Sequence, residues 1–310
     1  MEGLAIGSAN ARIGLPEAIA VLKAGGTAVD AVVAAIKPVE ANPLDHSVGY
    51  AGLPNLSGEV ELDASLMDGR TLATGAVGAL TGYQDAIELA RKVMEVLPHV
   101  LIVGDGARRF AEELGFVSSD LLTPESKQVW QSRMDELRRG APDAYMDRMR
   151  TIVGEMSRDP EHADAHGTVN VIVRDGQGNV ACGVSTSGWA WKYPGRLGDS
   201  PIVGAGNYAD NRWGAAACTG RGEMAQRCCT AHSVVTALRY GVDLTAAVHQ
   251  AMTDLVTLDD PFASEINIVA VDRHGNRIGA SSTPGKTYVT MTESMSEVAE
   301  IDCLVFPFPP

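Results

Sequence analysis

The feature that most constrains this chain is a change of character at residue 168. From about Ser118 to Asp164 the sequence is charged and polar, with scattered Met and Leu. Ala165-His166-Gly167 follows, and then a β-branched run interrupted only by Asn170, from Thr168 to Val173. Such side chains pack well on a pleated surface and lose rotamer freedom in a helix, so the run predicts a strand. Asp175 to Asn179 supplies turn residues, and Val180 to Thr186 resumes the strand. A hairpin centred on Gln177 places Thr168 opposite Thr186. A slip of one residue would undo that pairing. Paired threonines are ordinary in sheets, so the pair by itself declares no function.

Residues 1–40 predict a short strand and then helices. Pro16 suits a first helical turn, Gly25-Gly26 a stop, and Thr27 a cap for an Ala- and Val-rich helix. Residues 41–81 predict loops and short strands. A helix from about Tyr83 to Leu97, a buried strand at Val100–Val103 and a helix from Ala107 to Leu114 follow. Gly104-Asp105-Gly106 lacks the third glycine of a dinucleotide fingerprint, because Arg109 stands there, and reads as a tight turn. The polar stretch up to Asp164 predicts a helix and then an exposed linker. A second hairpin is expected over Ile266 to Ser282, in the same sheet as the first or a facing one. Aromatic residues make up only 5% of the chain, so the core must be built from Ala, Val, Leu and Ile.

The formal net charge of -14 argues against a nucleic-acid partner, since phosphate binding relies on Lys and Arg. No stretch has the apolar length of a membrane span, and Met1-Glu2-Gly3 carries no basic region that would open a signal peptide. The cysteines are odd in number and lie in the second half, without metal-ligand spacing. These features predict a cytoplasmic protein with no metal and no cofactor.

Three further segments carry candidate chemistry. Tyr193 to Pro201 is too rich in Pro and Gly for regular structure, so Arg196 and Asp199 sit on a rigid loop. An Arg fork suits a carboxylate and an Asp suits an ammonium, the two ends of a free amino acid. The alternative is that they pair with each other. Ala215 to Cys218 predicts a buried segment that leads through Thr219 and Gly220 into a helix from about Glu223 to Tyr240. That would put Thr219 and Gly220 at a helix N-terminus, where free N–H groups favour an anion, or make them an ordinary cap. Cys182 and Cys218 lie in apolar runs where thiols are usually inert, although Cys218 beside Thr219 could lend the site sensitivity to thiol reagents. His166 reads as a linker residue, and His232 and His249 as packing or surface residues.

Taken together the segments resemble the threonine N-terminal-nucleophile hydrolases of the asparaginase type, and most closely the glycosylasparaginases. The matching strings are His166-Gly167-Thr168, Gly183 to Gly188, Gly195-Arg196-Leu197-Gly198-Asp199-Ser200-Pro201, Gly204 to Asp210 and Ala215 to Gly220. In the first half His46-Ser47-Val48-Gly49, Leu62 to Gly69 and Gly75 to Gly78 join them, so the likeness covers nearly the whole chain. It implies an α+β fold, a four-layer αββα sandwich, cut between Gly167 and Thr168 into an α part (1–167) and a β part (168–310). It implies Thr168 as nucleophile with its own α-amine as base, Thr186 orienting it, and Thr219 and Gly220 stabilising the oxyanion. Arg196 and Asp199 would hold the aspartyl carboxylate and ammonium, with Ser47 near the Thr168 amine. The implied reaction splits the side-chain amide of an asparagine derivative, an N4-(β-N-acetylglucosaminyl)-L-asparagine in the first place. Asparagine or a β-aspartyl peptide is the alternative, and an unprocessed amino-acid-binding protein the non-enzymatic one. The implied assembly is a dimer of αβ units. Two positions depart from the glycosylasparaginase pattern. Gly167 stands where those enzymes place Asp, as in plant-type asparaginases, and Ile6 to Asn10 lacks their Trp.

Overall fold

A computed structural model describes residues 1–138 and 167–309. His166 and the greater part of the expected linker lie outside the described residues. Two sheets organise the chain. The first has eight strands in the order β12-β11-β1-β5-β6-β2-β3-β4, antiparallel except for β3 and β4. These are β1 (Leu4–Ser8), β2 (Leu62–Asp68), β3 (Thr74–Leu80), β4 (Leu101–Val103), β5 (Val169–Arg174), β6 (Val180–Thr186), β11 (Thr287–Thr292) and β12 (Ala299–Asp302). The second has five, β13-β10-β9-β8-β7, formed by β7 (Asn207–Asp210), β8 (Gly214–Gly220), β9 (Ile266–Asp272), β10 (Arg277–Ser281) and β13 (Leu304–Val305). The two predicted hairpins therefore lie in different sheets.

The helices are α1 (Leu15–Lys23), α2 (Ala28–Glu40), α3 (Ala86–Val96), α4 (Gly104–Glu113), α5 (Pro124–Arg138), α6 (Gly222–Cys228), α7 (Thr230–Arg239) and α8 (Leu244–Val256). Thr27 caps α2 through a reciprocal box with Asp30, as its position before an apolar run predicts.

Side-chain parity divides the strands between two cores. Val169, Val171 and Val173 of β5 pack with α1 to α4, while Ile172 points the other way. On β8, Ala216 and Cys218 pack with α6 to α8. Ala215 and Ala217 share a third core with Ile172, Cys182, Val184, Val269 and Val271. The central strands are thus apolar on both faces, and small residues let the sheets approach. By the same parity Thr168 and Thr186 end the inner face of the first sheet, and Thr219 and Asn267 end the inner face of the second.

Four sequence expectations need correction. Val100–Val103 is not buried: β4 is an edge strand, with Val103 47% exposed. An apolar run of this length cannot show by periodicity whether a neighbour will cover it. Gly104-Asp105-Gly106 is the first turn of α4 rather than a separate tight turn. The helix expected from Glu223 to Tyr240 is two helices, because Cys229 adopts a left-handed conformation (φ 48°) between α6 and α7. Thr219 and Gly220 belong to the end of β8, so they do not sit on a helix N-terminus.

Candidate active site

The β5–β6 ladder pairs Val169 with Ser185 and Arg174 with Val180, the register expected from a turn centred on Gln177. Its continuation brings Thr168 to Thr186, and Thr168 Oγ1 donates to Thr186 Oγ1 at 3.2 Å. Thr186 Oγ1 also accepts from the Gly188 N–H at 2.8 Å. Its own proton points to the Gly167 carbonyl at 2.9 Å, with the Ser47 carbonyl a longer alternative at 3.3 Å. One donor and two acceptor positions are then all in use. Thr168 and Thr186 are both buried, so little water competes for these bonds.

Ser47 stands against Gly167. Its Oγ donates to Asp45 Oδ1 at 2.5 Å, its N–H donates to the same oxygen at 3.0 Å, and its carbonyl accepts from the Ser187 N–H at 2.8 Å. A Cβ on residue 167 would fall 2.6 Å from Ser47 Cβ and closer still to its Oγ. A glycine before Thr168 is what this packing demands, and an aspartate would not fit without moving Ser47.

The Tyr193–Pro201 loop is irregular, as expected, and well fastened. Gln226 Nε2 donates to the Gly198 carbonyl at 2.6 Å, and the Ile202 N–H to the Asp199 carbonyl at 2.8 Å. Arg196 and Asp199 do not pair with each other. Arg196 instead grips Glu223 of α6 through Nε (2.9 Å) and Nη2 (2.7 Å). Burial works against the guanidinium charge, but the Glu223 hydrogen bonds and charge outweigh it and raise the Arg196 pKa. Both of these bonds use the Nε and Nη2 edge and leave Nη1 out of the Glu223 pairing. Arg221 adds a cation to this cluster, stacked 4.1 Å from the Trp189 ring centroid, with Arg196 on the same ring at 5.3 Å. Asp199 is buried, and its Oδ2 has no hydrogen-bond partner among the described residues. Burial pushes its carboxyl up to about 7, against the opposing pull of Arg196.

Lys192, also buried, donates to the Glu61 carbonyl at 3.0 Å and lies 3.9 Å from both the Glu61 and Asp63 carboxylates. Asp63 is the register partner of Thr186 on β2. Glu223, Asp45, Lys192 and Asp63 were not singled out by their sequence. Glu223, Lys192 and Asp63 act on their partners from far along the chain, whereas Asp45 stands only two residues from Ser47.

Two cavities meet at Thr168 and share Gly167, Thr168 and Gly220 in their walls. One is also lined by Thr186, Arg196 and Asp199 and is small, at about 10 Å³. The other holds about 160 Å³ and is lined by Ser8, Asn10, Asn170, Thr219, Asn267 and Lys286 among others. Gly220 adopts φ 111°, and a Cβ there would strike the Glu265 carbonyl, so the position between the cavities needs glycine. Cys182 and Cys218 are fully buried, and desolvation raises both thiols far above their ordinary range. Sensitivity to thiol reagents through Cys218 is therefore not expected, because its side chain packs into the core under α6 to α8. His232 and His249 are exposed on α7 and α8, edge-on to Tyr208 and Phe306.

A family model described as Asparaginase matches residues 9–300. The chain belongs to the asparaginase family. It is 38% identical over 274 residues to a protein of Pyrococcus abyssi named plant-type L-asparaginase, covering 88% of this chain and 86% of that one. It is also 38% identical over 242 residues to the N(4)-(Beta-N-acetylglucosaminyl)-L-asparaginase of Elizabethkingia miricola, covering 78% of this chain and 66% of the relative. The mouse protein named N(4)-(beta-N-acetylglucosaminyl)-L-asparaginase is 38% identical over 244 residues, with 74% and 70% covered. Family relatives thus carry two different substrate names. Among the described residues no helix is long and apolar enough to cross a membrane.

Proposed function

We propose that this chain is an autoprocessed amidohydrolase that cuts itself before Thr168 and then uses Thr168 on the side-chain amide of an asparagine derivative, releasing aspartate. The observation that carries the reading is the hydroxyl pair at the end of the first hairpin. Thr168 Oγ1 donates to Thr186 Oγ1, and Thr186 in turn donates to the carbonyl of the bond to be cut. Attack of Thr168 Oγ1 on that carbonyl carbon forms an ester, breaks the Gly167–Thr168 C–N bond and leaves the hydroxyl proton on the freed amine. Water then hydrolyses the ester, and the chain becomes an α part (1–167) and a β part (168–310). The free α-amine of Thr168, with a reference pKa of about 7.7–8.0, serves as the nucleophile's own base in turnover.

In the uncut chain Gly167 lines the small cavity beside Arg196 and Asp199, so its withdrawal makes room for substrate. The Nη1 edge of Arg196 takes the α-carboxylate, and the unpartnered Oδ2 of Asp199 takes the α-ammonium. Thr219 and Gly220 receive the oxyanion from the end of β8, a strand terminus in place of the helix terminus expected from sequence. Ser47 acts chiefly by shaping the approach of residue 167. The three stacked cores support an αββα sandwich.

The second cavity supports a leaving group larger than ammonia, since about 160 Å³ is roughly ten times the ~10–15 Å³ of cavity that one water needs. Its hydroxyl and amide lining favours a polar group such as the glycosylamine of N4-(β-N-acetylglucosaminyl)-L-asparagine. The second reading, asparagine or a β-aspartyl peptide, is favoured by Gly167 and the plant-type relatives. The test is hydrolysis of all three substrates side by side by cut enzyme. Thr168→Ala should abolish both cutting and hydrolysis, and an active Thr168→Ala protein would refute the reading.

A further inference from the structure

Thr219 can stabilise an oxyanion only if its hydroxyl proton is free to point there. A hydroxyl has one proton, and a neighbouring acceptor would claim it. The side chain across the ladder from Thr219 is Asn267, its register partner on β9. Asn267 Nδ2 donates to Thr219 Oγ1 at 3.2 Å. The amide therefore presents its donor end, and the threonine oxygen accepts.

An amide can present either end, so something must fix the choice. Asn267 Nδ2 also donates to Glu265 Oε1 at 3.1 Å. An ionised carboxylate only accepts, so a turned amide would set two acceptors against each other. Glu265 is itself held by Lys286, whose Nζ lies 3.0 Å from Glu265 Oε2. Asn267 Oδ1 is buried without a partner among the described residues. The orientation is thus not the one that would satisfy Oδ1; it is the one Glu265 enforces.

We propose that Asn267, locked by the Glu265–Lys286 pair, is a positioning residue that occupies the acceptor side of Thr219 Oγ1 and leaves its proton to the oxyanion. The inference rests on the reading of Thr219 given above. It concerns a residue that does not touch the reacting atoms, and it predicts an order of effects that loss of packing would not produce. Aspartate at 267 is nearly the same shape but only accepts. It would take the Thr219 proton for itself, which is worse than removing the side chain.

The experiment compares Asn267→Asp, Asn267→Ala, Glu265→Gln and Thr219→Val, each assayed per cut chain with the cut fraction set by mass spectrometry. Asn267→Asp should lower kcat roughly 10²–10³-fold, the size of one lost oxyanion donor, with KM within about twofold. Asn267→Ala should lose less than Asn267→Asp. Glu265→Gln should lower kcat through the same hydroxyl, and it serves as the probe if Asn267→Asp fails to fold. In the double variants, Thr219→Val with Asn267→Asp or with Glu265→Gln should be no slower than Thr219→Val alone. The proposal is overturned if Asn267→Asp keeps wild-type kcat, if Asn267→Ala is the slower of the two, or if the double-variant losses multiply. Activity that survives Thr168→Ala would instead sink the underlying reading of the site.

Discussion

Replacing Thr186 by valine tests the cutting step with almost no change of shape. The substitution removes three contacts at once: the donor to the Gly167 carbonyl at 2.9 Å, the acceptor for Thr168 Oγ1 at 3.2 Å and the acceptor for the Gly188 N–H at 2.8 Å. Only the first touches the carbonyl on which negative charge develops. A single preorganised donor of that kind is worth roughly 10²–10³ in rate, or about 3–4 kcal/mol. The orphaned Gly188 N–H adds a stability cost of about 1–3 kcal/mol, which appears in denaturant unfolding and not in the rate. Chains purified immediately after synthesis, or unfolded and refolded, can be followed on denaturing gels as one band becomes two. Thr186→Val should cut roughly 10²–10³-fold more slowly than wild type, and Thr186→Ser within about tenfold. A Thr186→Val chain that cuts at the wild-type rate would refute the assignment of Thr186 to the scissile carbonyl.

Other outcomes follow from the same geometry. In the permanently uncut Thr168→Ala background, Gly167→Ala should lose about 1–3 kcal/mol of stability by overpacking against Ser47, and Ser47→Gly should restore it. An undiminished unfolding midpoint for Gly167→Ala would show that the contact is not tight. Asp199 must be ionised to hold an ammonium, and burial raises its carboxyl to about 7. KM should therefore rise as pH falls through about 7 while kcat at saturation changes less, and a flat KM between pH 5.5 and pH 8 (a window of roughly one unit or more on each side) would contradict this. Glu223→Gln should raise KM roughly tenfold or more through loss of charge-assisted bonds to Arg196, with kcat nearly unchanged, and an equal loss in kcat would place Glu223 elsewhere in the mechanism. Glu40 is fully buried beneath the site, with Oε1 accepting from Ser185 Oγ at 2.6 Å and from the Ile87 N–H at 2.9 Å. Desolvation raises its carboxyl to about 8. The folded state thus holds a proton that the unfolded chain releases near its ordinary 4.5, so the contribution is complete below that pH and lost as pH rises through about 8. Glu40→Gln should flatten the fall in unfolding free energy over that window, and an unchanged slope would mean that Glu40 is ionised in the fold.

The Thr168–Thr186 pair was legible because a hairpin writes its register into the sequence, while the role of nucleophile came only from the family resemblance. The β-branched run after Gly167 and the Asp-Gly turn set where Thr168 must meet Thr186, and the ladder follows that register. Arg196 and Asp199 were legible as a rigid pair because Pro194, Gly195 and Gly198 leave no regular structure for the loop. Their electrostatic setting was not legible. The carboxylate that claims Arg196 is Glu223, 27 residues further on, and no local pattern announces it. Likewise Asn267 reaches Thr219 across 48 residues, through a β8–β9 pairing that no local pattern announces. The break between α6 and α7 escaped because a cysteine, not a glycine, takes the left-handed conformation. Apolar runs misled in a different way: Val100 to Val103 looks like a core strand, yet it closes the edge of the larger sheet.

Intact-mass measurement of freshly active protein bears most directly on how this molecule works. The expected result is two polypeptides, the shorter starting with an unblocked threonine at residue 168, with activity rising in step with their appearance. Full activity from a single unbroken chain, its threonine nitrogen still joined to Gly167, would contradict it.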